Sequence, residues 1–129
     1  MDTKLNLSFE ESDGHLIVRV SGEWIPDSVK LGIKDVAHAA QQRGFTRVLV
    51  DAQNLSAPQT GFYRFLAGEE AARRWRGLKV AILYPEELIN KFAEDTAVNR
   101  GAVVIVLSDL DDALRWLMGS PTKPSTATG

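Results

Sequence analysis

Between Arg47 and Gly61 the chain reads RVLVDAQNLSAPQTG. The run Val48-Leu49-Val50 is too short for a helix and rich in β-branched residues, so it reads as a buried strand. The apolar run stops at Asp51, which places the strand end there. A polar loop holding Pro58 then leads into a helical pattern that begins near Thr60. A buried strand whose C-terminal end carries an acid and a Ser/Thr loop is where α/β domains commonly keep a site.

Working outward, Leu5, Leu7 and Phe9 alternate with Asn6 and Ser8, as in a half-exposed strand. Glu10 to Gly14 reads as a hairpin turn closed by Asp13-Gly14. His15 to Ser21 returns as a second strand, with Leu16, Val18 and Val20 on one face and Ile17 and Arg19 on the other. After a loop from Gly22 to Asp27, Pro26 with Asp27 or Ser28 suits a helix start. Val29, Ile33, Val36, Ala37 and Ala40 follow at helical spacing.

A junction then recurs. Gln42-Arg43-Gly44 runs into the strand at Val48, Trp75-Arg76-Gly77 into Lys79 to Leu83, and Asn99-Arg100-Gly101 into Val103 to Leu107. Each glycine stands where a left-handed residue closes a helix, and each arginine near the helix end suits the dipole. Repeated helix–strand units of this kind imply parallel strands buried on at least part of both faces. Phe62, Phe65, Leu66, Ala72 and Trp75 mark the inward stripe of the second helix, and Ile89, Phe92, Ala93, Thr96 and Ala97 that of the third. The fourth starts at Asp109 as N-cap, with Leu110, Ala113, Leu114 and Leu117 inward. The expected fold is α/β: a five-stranded, mainly parallel sheet with an N-terminal β-hairpin and four helices, in the order ββαβαβαβα. The domain is expected over 1–118, with 119–129, GSPTKPSTATG, as a disordered tail.

Composition narrows the function classes. A chain of 129 residues is the size of one domain, and its formal net charge of −2 makes no electrostatic case for nucleic-acid binding. No apolar run approaches the ~20 residues needed to span a bilayer, and Met1 to Lys4 lacks a secretory layout. The chain has no cysteine, hence no disulfide and no thiolate ligand or nucleophile. The cytoplasm is the expected location.

The order and spacing of several segments carry a resemblance. They are Gly22-Glu23-Trp24, Val48 to Asp51 with Leu55, Lys79-Val80-Ala81, Asn90 to Glu94, Asn99-Arg100-Gly101 and Asp112 to Leu117, together spanning about residues 4 to 118. In these the chain resembles the STAS domain of sulfate transporters and anti-sigma factor antagonists. It looks closest to the bacterial STAS-like group related to the CRAL-TRIO lipid-binding fold. The resemblance implies a regulatory, protein-interacting module. In anti-sigma factor antagonists a loop Asp-Ser-Ser-Gly opens the helix after the central strand, and its first serine is the phosphorylation switch. The matching segment here is Pro58-Gln59-Thr60-Gly61: the glycine is kept, Pro58 replaces the aspartate, and Gln59 replaces the phosphorylated serine. Thr60 matches the second serine. Thr60 or Ser56 could take a phosphoryl group, which a helix N-terminus would favour; the plainer role of Thr60 is to cap the helix.

Parallel strands end along one edge, so Trp24, Asp51, Ser56, Thr60, Tyr84, Pro85, Glu86 and Ser108 are expected to converge there. Of these, Trp24, Asp51, Ser56, Thr60 and Tyr84, with Gln59, Gly61, Phe62 and Tyr63 at the start of the second helix, form the expected ligand- or partner-binding set. Taken singly, each is equally an ordinary loop or cap residue, and Asp51 has the plain role of accepting loop amides. No catalytic residue is expected: no histidine lies near the Ser56 loop, and Glu69, Glu70, Glu86 and Glu87 read as solvated. His15 and His38 make too thin a set for a metal, and no phosphate-binding glycine motif is present. No cofactor is implied.

Trp24, Phe62, Tyr63, Phe65, Trp75, Phe92 and Trp116 read first as core aromatics. The CRAL-TRIO relationship implies instead an apolar pocket between helices and sheet. Arg64, Arg73, Arg74 and Arg76 give the second helix a basic face, which could attract an acidic partner or a lipid headgroup. The expected function is therefore a non-enzymatic regulatory or protein-interaction module without the standard phosphoswitch. The alternative is a small carrier or sensor of an apolar or anionic, lipid-like ligand. Peripheral membrane contact and a homodimer both stay open.

Overall fold

Alternation along the strands builds two cores, one on each side of a single sheet. The elements are β1 (Asn6–Ser12), β2 (His15–Gly22), α1 (Pro26–Arg43), β3 (Arg47–Leu55), α2 (Gly61–Arg74) and β4 (Lys79–Leu83). A 3-10 turn (Glu86–Leu88), α3 (Phe92–Asn99), β5 (Val103–Leu107) and α4 (Leu110–Met118) complete the chain. This computed structural model describes residues 5–90 and 92–119, with Phe92 and Ala93 in backbone only. Of the tail expected over 119–129, only Gly119 lies within the described residues.

The strands stand in chain order, β1-β2-β3-β4-β5, with β1 antiparallel to β2 and every later pair parallel. This is the expected five-stranded sheet. Because each crossover moves one strand in the same direction, right-handed connections put α1, α2 and α3 on one face. After β5 no crossover remains, and α4 folds onto the other face against β3, β4 and β5.

Register rows show the division. Leu16, Val48, Val80 and Val104 are cross-strand neighbours, all buried toward the three-helix side. One residue further on, Ile17, Leu49, Ala81 and Ile105 point to α4, where Ala113 and Leu117 cover them. On that face β1 and β2 carry Asn6, Ser8, Glu10 and Arg19, all exposed, so their back is free to meet water. Arg19 pairs with Glu10 there at 2.7 Å.

Most of the turn chemistry is as the sequence implies, but α2 is capped at Trp75, so Gly77 lies in the turn beyond the helix instead of closing it. Gly44, Gly77 and Gly101 all have positive φ, and the Gly44 amide closes α1 onto Ala40 and Gln41. Pro26 opens α1, and Asp109 caps α4 by accepting from the Asp112 amide at 3.0 Å.

Five local expectations change; the smallest is Leu110, expected inward on α4 but 48% exposed at its start. The hairpin turn is only Asp13-Gly14, because β1 keeps pairing through Ser12. β3 does not stop at Asp51 but runs to Leu55, since β2 continues beside it through Gly22 after a register shift between Arg19 and Ser21. That shift breaks the alternation, so Ala52 and Leu55 both face the three-helix core.

The inward stripe of α2 is also rotated from expectation. Ala67, Gly68, Ala71 and Ala72 are buried, while Phe62 is 61% exposed. Small residues let α2 lie close between α1 and α3, and the large rings are left at its outer start. Trp75 does enter the core, where its Nε1 donates to the Ile33 carbonyl at 3.0 Å.

Finally, Glu70 is not solvated. Its side chain is 6% exposed and is gripped by Arg73 at 2.6 Å and Arg74 at 2.9 Å. Burial alone would raise its pKa, but the hydrogen bonds from Arg74 and Arg73 and their charges outweigh this and hold it below 4.5.

A depressed folded-state pKa contributes stability above the unfolded value, which is lost as pH falls from about 4.5 through the folded value. Glu70→Gln should therefore cost about 2 kcal/mol at pH 7 and much less near pH 3, read by urea melts across that range. A cost independent of pH would show that the ion pairs contribute nothing.

Candidate functional site

Ser56 ties the strand-end loops together. Its amide donates to the Gly22 carbonyl at 3.0 Å, and its Oγ accepts from the Trp24 amide at 2.9 Å. Its carbonyl accepts from the Tyr84 hydroxyl at 2.9 Å. One residue thus joins the loops after β2, β3 and β4. The Trp24 and Tyr84 rings tilt together at 6.5 Å and 58°. Arg64, one turn into α2, sets its guanidinium carbon 5.7 Å from the Trp24 ring centre and 5.9 Å from that of Tyr84. The same side chain donates to the Leu88 carbonyl at 2.8 Å. Burial pushes the Tyr84 phenol up, against a smaller opposing pull from Arg64, so Tyr84 serves as a neutral donor. The Trp24 indole N–H is buried and has no hydrogen-bond partner among the described residues.

The start of α2 forms a second, outward-facing group. Thr60 caps the helix, its Oγ1 accepting from the Tyr63 amide at 3.4 Å. Gln59, Thr60, Gly61 and Phe62 are exposed and Tyr63 is half-buried. Phe62 stacks on Phe65 at 5.9 Å and 20°, and the Arg100 guanidinium lies 5.4 Å from the Phe65 ring centre.

Asp51 joins neither group. It sits four residues before the end of β3, between Val50 and Ala52 that face the three-helix core, and so points to the α4 side. Its Oδ1 accepts from the Gln53 amide at 3.2 Å, the plain role open to it. The structure therefore brings Trp24, Ser56 and Tyr84 together, sets Gln59 to Tyr63 beside them on the chain's next element, and leaves Asp51 on the other face.

Between α1, α2 and the sheet lies an apolar chamber of about 130 Å³. Val29, Gly32 and Ile33 line it from α1, and Ala67, Gly68 and Ala71 from α2. Trp24, Tyr84, Arg64 and Glu94 are also on its wall, and Glu94 accepts from the Val106 amide at 2.8 Å. Phe62 and Phe65 do not line it. In the sequence Arg64 reads only as part of a basic face, and Glu94 only as the end of the Asn90 to Glu94 segment. Arg64 stands four residues after the capping Thr60, which puts it on the loop side of α2. Nothing local in the sequence distinguishes Glu94.

His15 is buried with Nδ1 3.3 Å from the Asp13 carbonyl, whereas His38 is exposed on α1. Among the described residues no group of three or more metal-ligating side chains is gathered. No described helix is long and apolar enough to cross a membrane.

Solved structures share this architecture. An anti-sigma factor antagonist from Mycobacterium paratuberculosis superposes with a TM-score of 0.64 at 16% identity, over 92% of this chain and 97% of that one. The anti-sigma factor antagonist SpoIIAA in its unphosphorylated form gives 0.54 at 15% identity, over 89% and 100%. A DUF3478-family protein with a SpoIIAA-like fold from Shewanella loihica gives 0.53 at 17%, over 88% and 94%. No protein-family model matches the chain, and no curated protein matches it in sequence. The fold is thus STAS-like, as the resemblance implied.

Two substitutions test the local geometry. Thr60→Ala should cost about 1 kcal/mol in urea unfolding, and Thr60→Ser should restore most of it. Tyr84→Phe should cost about 1 kcal/mol by freeing the Ser56 carbonyl. No loss in either would remove that contact from the account.

Proposed function

We propose that this chain is a non-enzymatic regulatory module that docks a protein partner through the start of α2 and the loop before it. The observation that carries this reading is Phe62, 61% exposed and stacked on Phe65, at the head of a helix whose opening residues are themselves exposed. A large ring held in place at an element's start contributes nothing to the core and is well suited to anchor a partner. The likeness to anti-sigma factor antagonists supports docking as the mode of action. Gln59 stands where the resemblance places the switch serine, so docking here does not turn on phosphorylation at that position.

The loops behind this surface support the same reading. Ser56 holds three of them by hydrogen bonds, so the docking face rests on a fixed base and little ordering is needed on binding.

A photo-crosslinking residue placed at position 62 in cells should give a discrete heavier adduct, lost when Tyr63 is also changed to Asp. The same residue at Ser8, exposed on the α4 side of β1, should give none. Equal labelling at both positions, or none at 62, would reject the docking surface.

A further inference from the structure

The outer side of α1 carries a large apolar residue on what is otherwise a solvated helix face. Leu31, Asp35, His38 and Gln42 recur at helical spacing, so they form one stripe, and all four are exposed. Leu31 heads that stripe at 48% exposure. Beside it runs a groove whose other bank is β1, where Leu5, Leu7 and Phe9 face α1 and stay half-buried. The polar row of β1, Asn6, Ser8 and Glu10, points to the other face of the sheet.

Two contacts fix how the banks run past each other. Leu5 Cδ1 lies 3.3 Å from where a Gly32 Cβ would stand, so the start of β1 meets the first half of α1. The Arg43 guanidinium carbon lies 5.4 Å from the Phe9 ring centre, so Phe9 meets the end of α1. Leu31 and Phe9 therefore stand at opposite ends of one groove, with Asp35 and His38 between them. The Arg43 charge is matched within the chain by Glu11 at 3.6 Å.

A two-fold axis passing midway between Asp35 and His38 maps this face onto itself. It lays α1 antiparallel to the α1 of a second copy and exchanges the ends of the groove. Leu31 of each copy then comes onto Phe9, Ala39 and Gln42 of the other. The same operation sets Asp35 opposite His38, a carboxylate acceptor facing an imidazole donor, twice by symmetry. One surface complementary to itself in both shape and charge about a single axis is what an isologous dimer requires.

We propose that two copies of this chain pair through this face, α1 against α1 in antiparallel. Leu31 seats in the other copy's groove beside Phe9, and Asp35 pairs with His38 across the axis. Phe62 and the head of α2 take no part in lining the groove, so the dimer goes beyond the proposed docking and stands separately from it.

Sedimentation velocity of the full chain from about 1 to about 500 µM tests this. The weight-average mass should climb from one chain toward two. Leu31→Glu should weaken pairing about tenfold or more, since it sets a carboxylate in an apolar seat. His38→Asp sets acid against acid, and Asp35→Lys sets a cation against imidazole; each should weaken pairing about fivefold. The double swap Asp35→Lys with His38→Asp should return it to within about twofold of the parent. All three positions are exposed, so each variant should keep the parent's circular dichroism. Ser8→Asp, on the opposite face of β1, and Phe62→Ala, which removes the docking ring, should leave pairing unchanged. One chain's mass throughout the range would overturn the dimer. A dimer that Leu31→Glu leaves intact would overturn this face, and a double swap that recovers nothing would overturn the antiparallel register.

Discussion

The rest of the structure depends on β3 being buried on both faces. Val48 and Val50 pack beneath α1 to α3, while Leu49 between them packs beneath α4. A strand in that position has no side free for water, so each neighbour must supply hydrogen bonds and each layer must supply apolar cover. β2 and β4 meet the first demand, lying parallel on either side. The second explains why a chain with three crossover helices on one face needs a fourth helix at its end. Without α4, Leu49, Ala81 and Leu83 would face solvent together.

The same constraint decides where polar chemistry can gather. A charged residue within β3 must point into one core or the other, and Asp51 does so on the α4 side, half-exposed and bonded to its own strand's Gln53 amide. Only beyond Leu55 does the chain escape both layers, and there Ser56 makes three bonds to the chain ends of β2 and β4. Tyr84 completes this arrangement from the end of β4 because its ring lies on the three-helix side with Trp24, within reach of Arg64. The cluster is therefore a product of sheet parity as much as of residue type.

Much of this was readable in the sequence, and the parts that were not share a cause. Gly44, Gly77 and Gly101 announced the helix–strand joints because positive φ is a local demand that few residues besides glycine meet. Pro26 and Asp109 marked helix starts for equally local reasons. The placement of Asp51 was not readable, since it follows from how far β2 extends beside β3, which is a property of two strands. Phe62 looked like a core residue by size, yet the helix–helix spacing around α2 admits alanine and glycine and excludes the ring. Glu70 looked solvated beside Glu69; its burial depends on Arg73 and Arg74 folding back over it from the next turn. Each miss concerns which face of an element turns inward, which is settled by partners distant in sequence.

Small residues on α1 and α2 carry two consequences that pull in opposite directions. They let the helices close over the sheet, and they leave a chamber of about 130 Å³ that they do not fill. A pocket lined almost wholly by carbon leaves its walls short of packing contacts. Compensation comes from around the chamber: Trp75 locks α2 to Ile33 of α1, and Ser56 locks Trp24 and Tyr84 at the other end. The space is thus framed by hydrogen-bonded contacts at both ends, with Gly32 of α1 and Ala67, Gly68 and Ala71 of α2 between them. Arg64 belongs to that helix and to the chamber wall, two residues from exposed Phe62. A change in how α2 sits over the chamber must therefore move Arg64 and the head of the helix together, because a single turn of helix is too stiff to absorb the shift.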